Sequence, residues 1–349
     1  MDRKVRWGVI GCGGIADRRT IPEGIMPCDV AELVAVQDVV LERAHAVSGK
    51  YDVQYTYGDE NQLLANPDVD AVYIASPSNC HLVHVYAAAN AGKHILCEKP
   101  LGISVQEARS AVGAAKNCGV KLGVNFMMRF HDAHWQLVDL VNDGKLGRIV
   151  MVKAELSCWY PPIPDAFRQD PALGGGGALI DMGSHGIDLL EQLCGPAVAV
   201  SSFTKTKLVQ DYRSEDTAAV LLEFQNGALG VVTALFNVPD DAARNEILVY
   251  GTGGSMHGLT IGQASDGNLE YAYSDQAGYD ASQSRPSAVE TGTISAIEGS
   301  NMYEHHIAAF SKAILEDTDV PIPGEAGLHS AEVIHACYVS AREGRSVAL

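Results

Sequence analysis

The sequence is short of basic residues, has no closely spaced cysteine pair and contains no long apolar run. Lys and Arg number 25 against 43 Asp and Glu, a formal net charge of −18. A surface this acidic repels phosphate backbones and anionic headgroups, so neither nucleic acid nor a membrane is an expected partner. A dinucleotide stays admissible, because a glycine turn at a helix N-terminus binds two phosphates whatever the net charge. The eight cysteines, Cys12, Cys28, Cys80, Cys97, Cys118, Cys158, Cys194 and Cys337, include no C-x-x-C pair. No zinc or dithiol site of that kind is expected. Several of them lie in apolar runs as small core residues, and the reading is of reduced thiols in a cytoplasmic protein. No stretch has the ~20 apolar residues of a membrane helix. Residues 1–6 carry no apolar signal core. There is no internal repeat and no low-complexity tract.

What is there is an ordinary globular composition, 47% hydrophobic and 19% charged over 349 residues, a length that suits two domains. In the first third, short apolar runs at residues 5–10, 31–37, 71–75, 94–97 and 120–124 alternate with helical patterns at 15–26, 41–50, 62–65, 81–91 and 104–117. The last of these opens on Ser104 with Glu107 three residues later, a capping-box pattern. Strand and helix in alternation build a parallel sheet covered on both faces. After a helix at 133–142 the rhythm changes. A strand at 148–156 and a helix at 178–193 precede successive strands at 199–206, 217–224, 228–236 and 246–250, with tight turns such as Asn226-Gly227. Consecutive strands predict an antiparallel sheet. Helices at 302–315 and 326–341 close the chain, and residues 262–292 read as a long excursion rich in Ser, Gly and Asp. The expected fold is α/β: a doubly wound parallel dinucleotide-binding domain over residues 1–123, then an α/β domain over 124–349 with a large, mostly antiparallel sheet for substrate binding.

Gly11-Cys12-Gly13-Gly14-Ile15-Ala16 follows the first strand and opens a helix. Gly11 suits the tight turn, Gly13 lets the backbone approach a pyrophosphate, and Ala16 lets helix and strand pack closely. Gly14 and Ile15 begin the helix, whose free N–H groups face the phosphates. Asp38 at the end of the second strand suits a ribose 2′-hydroxyl and repels a 2′-phosphate, and no adjacent Arg follows it. The expected cofactor is therefore NAD rather than NADP, with Arg43 on the next helix as a complication.

Glu98-Lys99-Pro100 lies just past the fourth predicted strand, where ligands bind in an open parallel sheet. Taken alone, a loop lysine is a solvated surface charge. In Asp181-Met182-Gly183-Ser184-His185 the acid and the imidazole are four apart and share a helix face as an exposed acid/base pair; read separately, they are a helix N-terminal charge and a packed histidine. Together the three groups suit oxidation of a secondary alcohol. A hydride leaves for the nicotinamide, and a base takes the hydroxyl proton. An ammonium holds the oxygen and lowers the alcohol's pKa. Asp181 orients His185 or accepts a substrate hydroxyl.

On these residues the sequence resembles the Gfo/Idh/MocA family of oxidoreductases, which includes glucose–fructose oxidoreductase and inositol dehydrogenase. The matching segments are residues 11–16, Ala75-Ser76-Pro77 with Asn79 and His81, residues 92–100, 123–129 and 175–185 with Asp188, and the tail 335–347. The resemblance implies that Lys99, Asp181 and His185 form the catalytic trio, with His185 the acid/base. It implies that Ser76, Pro77, Asn79, His81 and Glu98 neighbour the cofactor, and that the open sheet serves for oligomer contacts, as a dimer or tetramer.

Trp159-Tyr160-Pro161-Pro162, then Asp165, Arg168 and Gln169, put aromatic faces beside hydrogen-bonding groups. That suits a sugar ring, and a structural aromatic loop is the equal alternative. Arg129 faces the substrate pocket or anchors the hinge. Gly174–Gly177 lacks the Lys and Ser/Thr of a phosphate loop and reads as a flexible lead into the Asp181 helix. His305 and His306 point about 100° apart on a helix, so a surface or interface role is expected and no metal. The reading is an NAD-dependent dehydrogenase of a sugar, glycoside or cyclic polyol. A keto-sugar reductase and a non-catalytic sugar or nucleotide sensor are the alternatives.

Overall fold

The computed structural model describes residues 3–259, 267–274, 289–295 and 300–349. They form two sheets and divide into two compact units. One comprises Met1–Met127, Asp165–Gly176 and Asn301–Glu332, the other Met128–Pro164, Gly177–Ser300 and Val333–Leu349. The sequence reading draws one boundary near Gly123. Each unit takes three separate stretches of chain.

The first unit is built on six parallel strands: β1 (Val5–Ile10), β2 (Ala31–Gln37), β3 (Tyr55–Tyr57), β4 (Ala71–Ile74), β5 (His94–Cys97) and β6 (Leu122–Val124), in the order β3-β2-β1-β4-β5-β6. This order reverses between β1 and β4, which opens a crevice beyond their carboxyl ends. β1, β4 and β5 are almost wholly buried apolar runs, as a sheet covered on both faces demands. The sequence-predicted strands are all present; β3 is additional, too short at Tyr-Thr-Tyr to show a period.

The predicted helices also form, at Leu41–Tyr51, Glu60–Ala65, His81–Asn90 and Val105–Cys118. Ser104 accepts from Glu107 N–H at 3.2 Å, and Glu107 reaches back to Ile103 N–H at 3.0 Å. The first helix, Ala16–Ile25, has wide π geometry, with Met26 N–H bonded to the Ile21 carbonyl five residues back and Pro22 inside it. The late helix Met302–Leu315 closes the core of this unit. Trp7 packs on Phe310 with ring centroids 5.6 Å apart and planes tilted by 47°, and donates to Ser311 Oγ at 3.1 Å.

Among the described residues the second unit holds nine strands: β7 (Ile149–Ser157), β8 (Ala197–Thr206), β9 (Glu215–Phe224), β10 (Leu229–Leu235), β11 (Glu246–Gly251), β12 (Gly254–Leu259), β13 (Asn268–Tyr273), β14 (Glu290–Ser295) and β15 (Val347–Ala348). Their order is β14-β13-β12-β11-β7-β10-β9-β8-β15, antiparallel except for the parallel pair β7–β10. One face is apolar and covered, by Val152, Val220, Val232 and Val249 among others. The helix Ser184–Cys194 lies on it at Gly186, where a Cβ would sit 2.9 Å from Val232 Cγ1. The other face exposes Phe203, Leu221, Leu229 and Tyr250. The excursion expected over 262–292 contains β13 and the start of β14, strands that the polar composition hides; residues 262–266 and 275–288 lie outside the described residues.

Candidate functional site

In the first unit the glycine turn follows β1, and the Ser76-Pro77 turn follows β4, on the two sides of the strand-order reversal. Gly11 has φ +93°, and a Cβ there would lie 2.9 Å from the backbone of Ala75 and Ser76. Only glycine fits. A Cβ on Gly13 would meet nothing within 4 Å, so the backbone faces open space there, as approach to a pyrophosphate requires. Gly14 is exposed and Ile15 half-buried. Asp38 is buried beside this turn: its Oδ2 accepts from Cys12 N–H at 3.0 Å and its Oδ1 from Val40 N–H at 2.8 Å. The acid is thus fixed in orientation by the same loop it serves. Burial and the neighbouring Asp38 charge push the Cys12 thiol up to about 12, leaving it an inert small residue.

Lys99 is buried just past β5 and joins Pro100 through a cis peptide. Its neighbour Glu98 sits in a buried hydrogen-bond network. Thr20 Oγ1 donates to the Tyr73 hydroxyl at 2.9 Å, and Tyr73 donates in turn to Glu98 Oε1. Asn125 Nδ2 reaches the same oxygen at 2.5 Å, and His306 Nδ1 meets Asn125 Oδ1 at 2.8 Å. Burial pushes Glu98 above the usual carboxylate range, against the pull of these donors and of Lys99. His306 is buried, which corrects the expectation of a surface or interface role. Its helix turns the ring inward to Asn125, and nothing in the neighbouring pair His305-His306 foretells that direction.

Ser76 pairs with His84, Oγ to Nδ1 at 2.9 Å. Pro77 is exposed and Asn79 half-buried. His81 is buried with Nδ1 2.7 Å from the Pro100 carbonyl and Nε2 2.9 Å from that of Ser76, bridging the two loops. Burial pushes it down to about 4. Arg168 also belongs to this unit, its guanidinium 4.5 Å from the Phe167 ring centroid.

In the second unit Asp181 lies in a stretch of π geometry, Leu179–Gly183, that runs directly into the helix Ser184–Cys194 bearing His185. Asp181 is half-buried, and His185 is 4% exposed. The expectation of an exposed acid/base pair is therefore corrected for His185, because its helix packs flat on the sheet. The glycine run is corrected too. Pro171–Gly174 is a short helix, and Gly177 N–H donates to Glu215 Oε1 at 2.9 Å, so the lead is anchored. Arg129 grips Asp188 and is 21% exposed at its side chain. Trp159 is exposed, its N–H held by Asp240 Oδ1 at 2.8 Å, and Tyr160 packs on Phe236 at 5.0 Å. Glu215, Tyr73 and Asn125 are polar residues that sequence reasoning did not single out for these arrangements; each lies far along the chain from its partners.

A glycine turn at the reversal of a six-stranded parallel sheet defines a dinucleotide-binding protein. Residues 5–126 match the profile of the oxidoreductase family with an NAD-binding Rossmann fold, and residues 134–257 match that of the GFO/IDH/MocA C-terminal domain. The chain belongs to the Gfo/Idh/MocA family of oxidoreductases. It is 28% identical over 351 residues to the 1,5-anhydro-D-fructose reductase of Ensifer adhaerens, covering 98% of this chain and 97% of that one. It is 32% identical over 232 residues to the myo-inositol 2-dehydrogenase of Thermotoga maritima, 65% of this chain and 67% of the other. The aldose-aldose oxidoreductase of Caulobacter crescentus, solved with glycerol, superposes with a TM-score of 0.87 at 27% identity over 99% of this chain and 100% of that one. All eight cysteines are free thiols, and among the described residues no helix is long and apolar enough to cross a membrane.

Proposed function

We propose that this oxidoreductase oxidises a secondary hydroxyl of a sugar, glycoside or cyclic polyol with NAD. The observation that carries the reading is Lys99, a lysine buried past the end of β5, in the same unit as the open glycine turn and the fixed Asp38. A lysine is rarely buried without a task. The residues present fit the cofactor: Gly11 and Gly13 leave the pyrophosphate its room, and Asp38 offers its carboxylate to a ribose 2′-hydroxyl and repels a 2′-phosphate. When bound, the oxidised nicotinamide supplies a hydride acceptor.

Lys99 donates a hydrogen bond to the substrate oxygen and stabilises negative charge there. His185 accepts the hydroxyl proton at a ring nitrogen. Asp181 orients His185 or a neighbouring hydroxyl. The carbinol C–H bond breaks and its electron pair leaves with the hydrogen. The O–H proton passes to His185, and the carbonyl forms. Trp159, Tyr160, Arg129 and Arg168 are assigned to the substrate. Arg129 serves it indirectly by fixing Asp188. The open face of the second sheet pairs copies of the chain into a dimer or tetramer.

One relative is called a reductase and another a dehydrogenase, so both directions are tested. D-glucose, D-xylose, myo-inositol and 1,5-anhydro-D-fructose are each assayed with NAD, NADP and their reduced forms, following nicotinamide absorbance. Turnover of a polyhydroxylated substrate with NAD is expected, lost in Lys99→Ala while the protein stays folded. Normal turnover by Lys99→Ala sinks the assignment.

A further inference from the structure

The helix carrying Asp181 and His185 begins at a buried carboxylate that comes from elsewhere in the chain. Glu215 opens β9, and its Oε1 accepts Gly177 N–H at 2.9 Å and Leu179 N–H at 3.0 Å. The Tyr338 hydroxyl, from the last helix, Gly324–Glu343, donates to the same oxygen at 2.8 Å. Glu215 is 6% exposed. A helix N-terminus leaves N–H groups without intrahelical partners and carries partial positive charge, so a carboxylate there satisfies both demands. Hydrogen bonds to an ionised acceptor in a buried setting are short and strong. The fit is also steric: a Cβ on Gly177 would lie 2.0 Å from the Glu215 carbonyl oxygen, so glycine alone lets the two strands of chain approach.

We infer that Glu215 and Tyr338 are positioning residues for the reaction, fixing the start of the helix and so the placement of Asp181 and His185. The inference rests on the roles proposed above for those two residues. A local cap, such as Ser104 on its own helix, constrains only the first turn of that helix. Glu215 instead ties the helix start to β9, while Gly186 seats its middle on Val232 of β10. The two attachments lie on neighbouring strands, which resists rotation of the helix about its axis. Rotation would carry Asp181 and His185 out of line with the substrate hydroxyl. Burial holds the Glu215 carboxyl above the usual range, and the three donors keep it from rising further. The hydroxyl of Tyr338, raised well above its ordinary value by burial and by the Glu215 charge, stays a donor throughout the working pH range.

The test compares Glu215→Gln, Tyr338→Phe and the double variant with the wild type, using NAD and the substrate that the panel identifies. NADH affinity is read by fluorescence and the fold by circular dichroism. Expected are a fall in kcat of about 10–100-fold in Glu215→Gln, a smaller fall in Tyr338→Phe, and a double variant no slower than Glu215→Gln alone. KM for NAD and NADH affinity should be unchanged. A wild-type kcat in Tyr338→Phe and in folded Glu215→Gln, with only the thermal midpoint lowered, would make Glu215 a structural cap and overturn the inference. If Glu215→Gln does not fold, Tyr338→Phe decides by the same criterion. His185→Ala and Asp181→Ala run alongside. If they turn over normally, the proposed catalytic roles fail, and this inference fails with them. If they are dead while the Glu215 and Tyr338 variants are fully active, only the positioning inference fails.

Discussion

Arg129 holds Asp188 in a two-pronged grip, Nε to Oδ2 at 2.9 Å and Nη2 to Oδ1 at 2.5 Å. The fork matches the carboxylate plane, and the Asp188 side chain is only 5% exposed. Asp188 lies on the His185 helix, so the pair fastens a second point of that helix. Breaking a buried pair leaves an uncompensated charge. Asp188→Asn should lower the unfolding free energy by about 3 kcal/mol, measured in urea. A loss below about 0.5 kcal/mol would show that the pair behaves as a solvated surface bridge.

The glycine turn allows a clean separation of folding from binding. A methyl on Gly13 enters open space, so Gly13→Ala should melt as the wild type does. It should bind NADH at least about tenfold more weakly, because the methyl occupies the room left for the phosphates. Unchanged affinity by titration would place the dinucleotide elsewhere.

Asp38 should decide between the two nicotinamide cofactors. Asp38→Ala removes a charged hydrogen bond worth about 1.5–3 kcal/mol and also removes the repulsion of a 2′-phosphate. The expected result is weaker NAD binding and a narrowed ratio of NAD to NADP turnover. A ratio that stays constant would assign the choice to another residue, Arg43 first.

His134 makes stability depend on pH. It is buried on the helix Asp132–Asn142, and burial, with Arg129 and His131 nearby, pushes it down to about 3. The unfolded chain takes up the proton near 6.5 and the folded one only far lower. The folded state therefore loses stability as pH falls through that interval. Relative to His134→Leu, the wild type should lose stability progressively from pH 6.5 towards 3. Parallel curves from urea melts at several pH values would contradict this.

The open sheet face offers a test of assembly. Phe203, Leu221 and Leu229 are exposed at 73%, 59% and 54%, a cluster that water disfavours. Leu221→Glu combined with Leu229→Glu should reduce the sedimenting mass to that of a single chain. A mass unaffected by both charges would remove this face from the interface.

Much of the fold was legible because its signals are local. Six-residue apolar runs such as Val5–Ile10, the Ser104–Glu107 box and the Gly11–Ala16 turn each carry their own physics within a few residues. What escaped has its cause at a distance. β3 gains its identity only from pairing with β2, and β15 only from two residues against β8. β13 and β14 bury little besides Leu269, so their apolar alternation is too weak to announce two strands. In the candidate site, Lys99, Asp181 and His185 stood out by residue type and spacing. Glu215 and Tyr338 did not, because nothing near either of them in the chain announces a helix start 38 residues earlier or a carboxylate 123 residues away. His306 reads as half of a surface pair until Asn125 is known to lie opposite it.

Trp7 is made some three hundred residues before Ser311, which accepts its indole N–H, and before Phe310, which packs against its ring. Until then the emerging parallel sheet keeps an oily flank bare on the ribosome, the kind of surface on which nascent chains adhere to one another. A protein wired this way gains little from early folding of its parallel sheet. Its yield in the cell should be governed by how well that flank is shielded during translation, and a stop codon shortly before Asn301 should leave an insoluble product rather than a smaller working nucleotide binder.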